Sequence, residues 1–143
     1  MPIEADANCI FCKIVQGEVP CFKIFEDRET LAFMDISPVH DGHCLVIPKA
    51  HFATVFEIAP RTIAAAARTA ALVAKAVNQA VKPDGINLIQ ANGPGAGQSV
   101  GHFHFHVFPR KMNDGVAINW ERYQKPGDRA RLTELAERIR SFL

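Results

Sequence analysis

The sequence predicts an α+β fold built on an antiparallel sheet, and three observations lead there. Short runs of strand character outnumber helical ones. The candidate strands follow one another through short connections instead of alternating with helices. The chain has 143 residues, 48% hydrophobic and 22% charged, which is long enough to bury one core without covalent staples. No repeat, low-complexity tract or long linker divides it, so residues 1–143 are expected to form a single domain.

Ile10, Phe11, Ile14 and Val15 recur at three- and four-residue steps, predicting a short helix over Cys9–Val15 that Gly17 stops. Phe22–Glu26 alternates as a strand. Leu31–Met34 follows after the charged turn Glu26–Glu29 as a second strand. Ser37-Pro38 to Asp41-Gly42 is dense in turn residues, and His43–Ile47 then reads as a compact apolar strand ending at Pro48. Pro60 suits a first helical position, and the alanine-rich stretch carries the helix to about Val81, where Pro83 and Gly85 end it. Its expected apolar face is Ile63, Ala67, Ala70, Ala74, Val77 and Val81. Ile86–Ile89 and His102–Phe108 read as strands, the latter closed by Pro109. A last helix over about 128–143 sets Leu132, Leu135, Ala136 and Ile139 on one side.

The formal net charge of +1 calls for neither nucleic acid nor an anionic membrane surface. No apolar run approaches the length of a membrane span. Met1–Asn8 holds two acids, no base and no apolar centre, unlike a secretory leader. Cys9, Cys12, Cys21 and Cys44 are therefore expected as reduced thiols in the cytoplasm. Cys21 and Cys44 are expected only to pack.

The strongest chemical signal is His102-Phe103-His104-Phe105-His106-Val107. Strict alternation is the period of a strand, which puts three imidazoles on one face and the apolar partners on the other. Four strand residues span roughly 13 Å, whereas one zinc ion needs nitrogens within about 2.1 Å, so the three do not readily share an ion. Proton transfer or nucleophilic attack on phosphorus suits neutral imidazoles near neutral pH. Several unpartnered histidines would be a costly way to fill a core. The run is fed by Gly93–Gly101, a loop with four glycines. Such a loop is either an ordinary turn or a cradle whose backbone N–H groups close around phosphate oxygens. Gln98 and Ser99 add side-chain donors.

From Gly97 through Val107 the chain resembles the signature of the histidine-triad superfamily. Cys9–Ile14, Leu31–Pro38 and Gly42–Lys49 extend the resemblance to most of the chain. They are similar to the bacterial branch, near the histidine-triad nucleotide-binding proteins. The resemblance implies a five-stranded antiparallel sheet with one long helix and a C-terminal helix, dimerising through the long helix, here residues 60–81, and a strand. It implies a hydrolase or transferase that cleaves a nucleotidyl compound at its α-phosphate. His104 would be the nucleophile, His106, His43 and Ser99 would serve the phosphate region, and Gln98 would serve phosphate oxygens. Asp35 would accept from ribose hydroxyls. Ile10, Phe11, Ile14, Phe33 and Ile36 match positions that enclose the base in relatives, although each is equally readable as ordinary core. Relatives often carry asparagine or glutamine where this chain has Ala91. Gln90 and Asn92 flank it with side chains on the opposite face of a strand, so Asn92 is carried as a candidate and the contact stays open.

Cys9-x-x-Cys12 has metal-ligand spacing but is an incomplete set by itself, equally two thiols with no metal. A thioredoxin-like redox role is disfavoured because no strand precedes the pair. Family members with such a pair also hold zinc through a histidine after the Pro-Lys step and through the first triad histidine. The resemblance thus implies Cys9, Cys12, His51 and His102 as a closed structural set.

Among the branches, His106 and the short chain argue against the sugar-phosphate uridylyltransferases, which carry glutamine at the third triad position. No basic stripe supports a DNA-end deadenylase. Purine nucleoside phosphoramidase is the favoured reading and dinucleoside polyphosphate hydrolase the nearest rival. A nucleotide-binding regulatory module with incidental catalysis is the alternative from another class. The C-terminal stretch with Trp120 and Tyr123 is expected to border the site.

Overall fold

The computed structural model describes residues 5–117 and 124–143. The elements run α1 (Ile10–Val15), β1 (Lys23–Glu26), β2 (Thr30–Met34), β3 (Cys44–Pro48), α2 (Pro60–Val81), β4 (Gly85–Gln90), β5 (Phe105–Arg110) and α3 (Arg129–Arg140), with a 3-10 turn at Pro94–Ala96. Local chemistry sets several boundaries. Cys9 caps α1, its Sγ accepting from the Cys12 N–H at 3.4 Å. Asp128 caps α3, its carboxylate accepting from the Arg131 N–H at 2.9 Å. Pro60 opens α2, and Lys82 closes it in the left-handed region at φ 48°.

The five strands form one antiparallel sheet in the order β1-β2-β3-β5-β4. Every residue of β2 and β3 is buried, because both faces of the sheet centre are covered. Alternation along the strands divides the interior in two. Ala32, Met34, Cys44, Val46 and Val107 face α2 and α3, meeting Val73, Val77, Leu135 and Ile139. Leu31, Phe33, Leu45 and Ile47 face the other way and carry α1 through Phe11 and Cys12. Leu45 pairs with His106 and with Phe33, so His106 belongs to the α1 face.

Two expectations need correction. The buried face of α2 is Ala65, Ala66, Thr69, Ala70, Val73, Ala76, Val77 and Ala80, sharing only Ala70 and Val77 with the expected stripe. Ala67 is exposed, and Ile63, Ala74 and Val81 are half-buried. Alanine on every side of this helix blurs its periodicity, and the Thr30–Thr69 hydroxyl bond at 2.7 Å helps fix the rotation instead. The last strand begins at Phe105, not His102, and runs through Pro109 to Arg110. Before Phe105 the chain has no ladder partner, and the Phe103 N–H donates to the Phe52 carbonyl at 2.7 Å. Pro109 is tolerated because pairing with β3 has already ended at Val107, leaving β4 as its only neighbour. The three histidines therefore do not share one strand. Among the described residues no helix is long and apolar enough to cross a membrane.

Gly42 leads into β3 at φ +90°, and an added Cβ would meet Val81, Pro109 and Val77 at 3.1, 3.2 and 3.3 Å. Gly17 also has a positive φ, of +80°, but nothing lies within 4 Å of its Cβ position. Gly42→Ala should cost about 2–4 kcal/mol from combined strain and overpacking, and Gly17→Ala about 1 kcal/mol from strain alone. Urea unfolding of the two variants checks the difference. Equal midpoints would show that the contacts around Gly42 yield freely.

Candidate active site and metal centre

A cavity of about 370 Å³ opens on the α1 face. Ile10, Phe11 and Ile14 of α1 form one wall, and Phe33, Asp35 and Ile36 at the end of β2 form another. Ser99, Val100, His104 and His106 close it from the loop and β5. The structure thus brings together all five apolar residues expected around a base. Phe11 and Phe33 are buried, whereas Ile36 is 66% exposed at the rim. Val19, Pro20, Cys21 and Gln124 also line the cavity, and the sequence offered no sign of them. Cys21 is therefore part of a cavity wall. Cys44, fully buried, packs in the core as expected.

His104 is 4% exposed, and its Nδ1–H donates to the His102 carbonyl at 2.7 Å. A carbonyl only accepts, so the proton sits on Nδ1 and the lone pair on Nε2. Nε2 has no hydrogen-bond partner among the described residues. Burial lowers the His104 pKa below the ordinary imidazole value, favouring the neutral ring. The Phe11 ring stands edge-on to this imidazole at 5.3 Å and holds its plane.

His43 and His106 form a second, directional unit. The Val39 N–H donates to His43 Nδ1 at 3.2 Å, so His43 carries its proton on Nε2. That Nε2 donates to His106 Nδ1 at 2.9 Å, which leaves the His106 proton on Nε2. Burial pushes His43 down to about 3, and the neighbouring His40 and His104 add to it. Burial likewise lowers His106, reinforced by His104 and His43. Asp35 Oδ2 lies 3.5 Å from His43 Nε2. This contact is not an ion pair, since the His43 ring is neutral: its Nδ1 accepts from Val39 and burial holds its pKa near 3, while burial raises the Asp35 carboxyl to about 6. Asp35 accepts from the Ser37 N–H at 2.8 Å and from Gln124 Nε2 at 3.3 Å. The His104 and His106 rings are 5.0 Å apart, both facing the cavity.

Two predicted phosphate-side residues sit elsewhere. Gln98 Oε1 accepts from the Gly93 N–H at 2.7 Å, and its Nε2 donates to the Ala53 and Val100 carbonyls at 2.7 and 3.0 Å. Its amide thus staples the glycine-rich loop. Asn92 exchanges hydrogen bonds with Gln90 and accepts from the Val55 N–H at 2.6 Å, away from the cavity. Ala91 is buried and contributes no polar group. Ser99 is exposed at the cavity edge, its hydroxyl without a partner among the described residues. Trp120 and Tyr123 lie outside the described residues.

On the far side of α1, Cys9, Cys12, His51 and His102 bring four donor atoms within 4.8 Å of one another. Cys9 Sγ is 3.4 Å and Cys12 Sγ 3.6 Å from His102 Nδ1; Cys12 Sγ is 3.3 Å from His51 Nδ1, and the two Nδ1 atoms are 3.2 Å apart. Zinc–ligand bonds of about 2.3 Å to sulfur and about 2.1 Å to nitrogen give tetrahedral edges of about 3.6 Å and about 3.4 Å, close to these separations. His102 donates its Nε2–H to the Pro48 carbonyl at 2.8 Å, turning the Nδ1 lone pair inward. The donor set fits a soft divalent metal. Asp35, His43 and His106 also cluster. Their 2.9 Å N···N contact is a hydrogen bond, shorter than a metal tetrahedron's edge.

The HIT domain matches residues 16–113. Protein hit of Bacillus subtilis is 40% identical over 139 residues, covering 94% of this chain and 96% of that protein. Adenosine 5′-monophosphoramidase hnt1 of Schizosaccharomyces pombe is 41% identical over 117 residues, covering 81% of this chain and 85% of its own. A zinc-bound histidine triad family protein from Mycobacterium smegmatis superposes with a TM-score of 0.82 at 34% identity, covering 94% of this chain and 92% of that one. With the family model matched over residues 16–113 and a relative 40% identical across 94% of its length, the chain belongs to the HIT domain family.

Proposed function

We propose that this protein hydrolyses a nucleotidyl–X bond at the α-phosphate, with a purine nucleoside phosphoramidate as the favoured substrate, through a nucleotidyl intermediate on His104. The carrying observation is the His104 imidazole, protonated on Nδ1 by its bond to the His102 carbonyl, at the wall of an apolar-and-polar cavity. The relative named as an adenosine 5′-monophosphoramidase supports the choice of substrate.

In this reading the base lies among Ile10, Phe11, Ile14, Phe33 and Ile36, and the ribose hydroxyls donate to Asp35. His104 Nε2 attacks phosphorus and the P–X bond breaks, X leaving with its electron pair and taking a proton relayed from solvent by the Ser99 hydroxyl, which solvent recovers from the attacking water in the second step. The P–N bond makes the ring cationic, and the His102 carbonyl holding Nδ1–H stabilises that charge. His106 offers its Nε2–H to the phosphate, backed by His43. The Ser99 hydroxyl serves the same region. Water then cleaves the P–N bond, releasing the nucleotide and neutral His104. One difficult displacement becomes two easier ones, and the site supplies mainly position and charge stabilisation.

The Cys9, Cys12, His51 and His102 set would hold zinc. Four protein donors leave no open coordination position, so the ion would be structural and would supply folding free energy rather than Lewis acidity. Homodimerisation is also part of the proposal. β4 is a sheet edge with Leu88 47% exposed, and Leu72 of α2 is 41% exposed.

AMP release from adenosine 5′-phosphoramidate should fall about a thousandfold or more in His104→Asn, with diadenosine tetraphosphate a poorer substrate of the wild type. Folded wild type that releases no AMP from either compound would sink the catalytic reading and leave a binding module. Metal analysis should find about one zinc per chain, and chelation should lower Tm by about 5 °C or more, as should Cys12→Ser. A metal-free protein of unchanged Tm rejects the zinc assignment. Sedimentation equilibrium should return twice the chain mass, and Leu88→Arg should shift it toward one. A wild-type monomer at micromolar concentration refutes the dimer.

A further inference from the structure

Gln124 stands outside the matched HIT domain, residues 16–113, yet its side chain lines the same cavity as Asp35, His104 and His106. Nothing in the proposed reaction has used it. Its Nε2 donates to the Ser37 carbonyl at 2.8 Å and to Asp35 Oδ2 at 3.3 Å. Both neighbours are acceptors, which settles the amide's orientation: the two N–H groups turn toward them and Oε1 points away. Oε1 has no hydrogen-bond partner among the described residues.

The segment is held firmly where it crosses the site. The Gly127 N–H donates to the Ile36 carbonyl at 2.9 Å. Gly127 also lies so close to Pro38 that an added Cβ would sit 3.0 Å from its Cδ. Asp128 then caps α3, whose Leu132 and Leu135 are buried against the sheet. Gln124 is therefore anchored to the Asp35–Pro38 turn from one side and to α3 from the other. A partly buried amide with a fixed, unpaired acceptor beside a buried carboxylate makes a two-acceptor edge. Asp35 retains acceptor capacity beyond the bonds from Ser37 and Gln124, because each carboxylate oxygen takes about two hydrogen bonds.

We propose that Gln124 selects ribose: its Oε1 accepts from one hydroxyl of the substrate's vicinal diol while Asp35 accepts from the other. This inference rests on the reading that the cavity takes a nucleotide. A pair of fixed acceptors rejects a sugar lacking one hydroxyl, because the orphaned acceptor loses water without gaining a donor. A role confined to clipping the C-terminal segment onto residues 35–37 would instead affect stability alone.

The test compares adenosine 5′-phosphoramidate with its 2′-deoxy and 3′-deoxy analogues, using wild type and Gln124→Met, a variant of similar length with no amide. Wild type should prefer the ribose compound over at least one analogue by tenfold or more in kcat/KM, and Gln124→Met should reduce that preference about tenfold. The loss should fall mainly on KM for the ribose compound. Tm of both proteins is recorded alongside. A preference unchanged within twofold, with or without a fall in Tm, overturns the inference, as does a wild type indifferent to the missing hydroxyls. Calorimetric titration with AMP, 2′-deoxy-AMP and 3′-deoxy-AMP reads the same discrimination without turnover. If wild type hydrolyses nothing but binds AMP with a ribose preference that Gln124→Met removes, the inference stands and the catalytic reading falls. If hydrolysis proceeds and the discrimination does not depend on Gln124, the reverse holds.

Discussion

His102 is held at both ends, and the rest of the site depends on that. Its side chain is clamped between the Cys12 and Cys9 thiols on one nitrogen and the Pro48 carbonyl on the other. Its backbone carbonyl accepts the Nδ1–H of His104. Any movement of His102 therefore moves the oxygen that decides which nitrogen of His104 carries a lone pair. A second tie runs in parallel. Phe11 precedes Cys12 on α1 and places its ring edge-on to both His102 and His104, at 5.8 and 5.3 Å. The metal-type cluster and the cavity are thus two sides of one short helix, and rigidity on one side is position on the other.

Burial sets the electrostatics. His43 and His102 are fully buried and His104 and His106 nearly so, where charged imidazoles would lose their hydration and repel one another. Neutral rings are directional, each with one donor and one acceptor. The order Val39 N–H to His43 to His106 therefore runs in one sense only and sets the His106 proton on the nitrogen away from His43. Replacing any ring with a group that donates at the wrong atom would reverse or break that order without changing the fold. Asp35 shows the complementary effect: the same desolvation that keeps the histidines neutral raises its carboxyl to about 6, and the donors Ser37 and Gln124 oppose the rise.

How much of this was legible in the sequence depended on how local the cause was. The ends of α2 and α3 were readable because Pro60 and Asp128 act within one turn of themselves. The face of α2 was not, since alanine is acceptable on either side and packing alone chooses. The start of β5 was hidden because it depends on where β3 and β4 stop pairing and on Phe52 taking the Phe103 N–H. Cys9, Cys12, His51 and His102 were assembled only through the family resemblance, as no spacing rule spans the 93 residues from Cys9 to His102. Gln98 was ambiguous because a polar side chain in a glycine-rich loop serves equally well as phosphate donor or loop staple, and its amide bonds to Gly93, Ala53 and Val100 come from the tertiary fold. Gln124 carried no pattern at all, and only its distance to Asp35 singles it out.

The interruption of the strand before Phe105 explains why three alternating histidines can do different work. On an unbroken strand all three rings would point to one face and the first would be stranded far from the third. Ending the ladder early frees His102 to turn toward the thiols, while its carbonyl stays within reach of the next imidazole. His104 and His106 remain neighbours at 5.0 Å, a separation that one phosphoryl group can bridge. In the proposed displacement the leaving atom lies across phosphorus from His104, roughly in line with the attacking nitrogen. A ring beside the attacker on the same face can reach the phosphate's lateral oxygens more easily than that far atom. In that proposed reaction the attack belongs to His104 just before β5 and charge stabilisation to His106 on it, and the leaving group falls to the loop that carries Ser99.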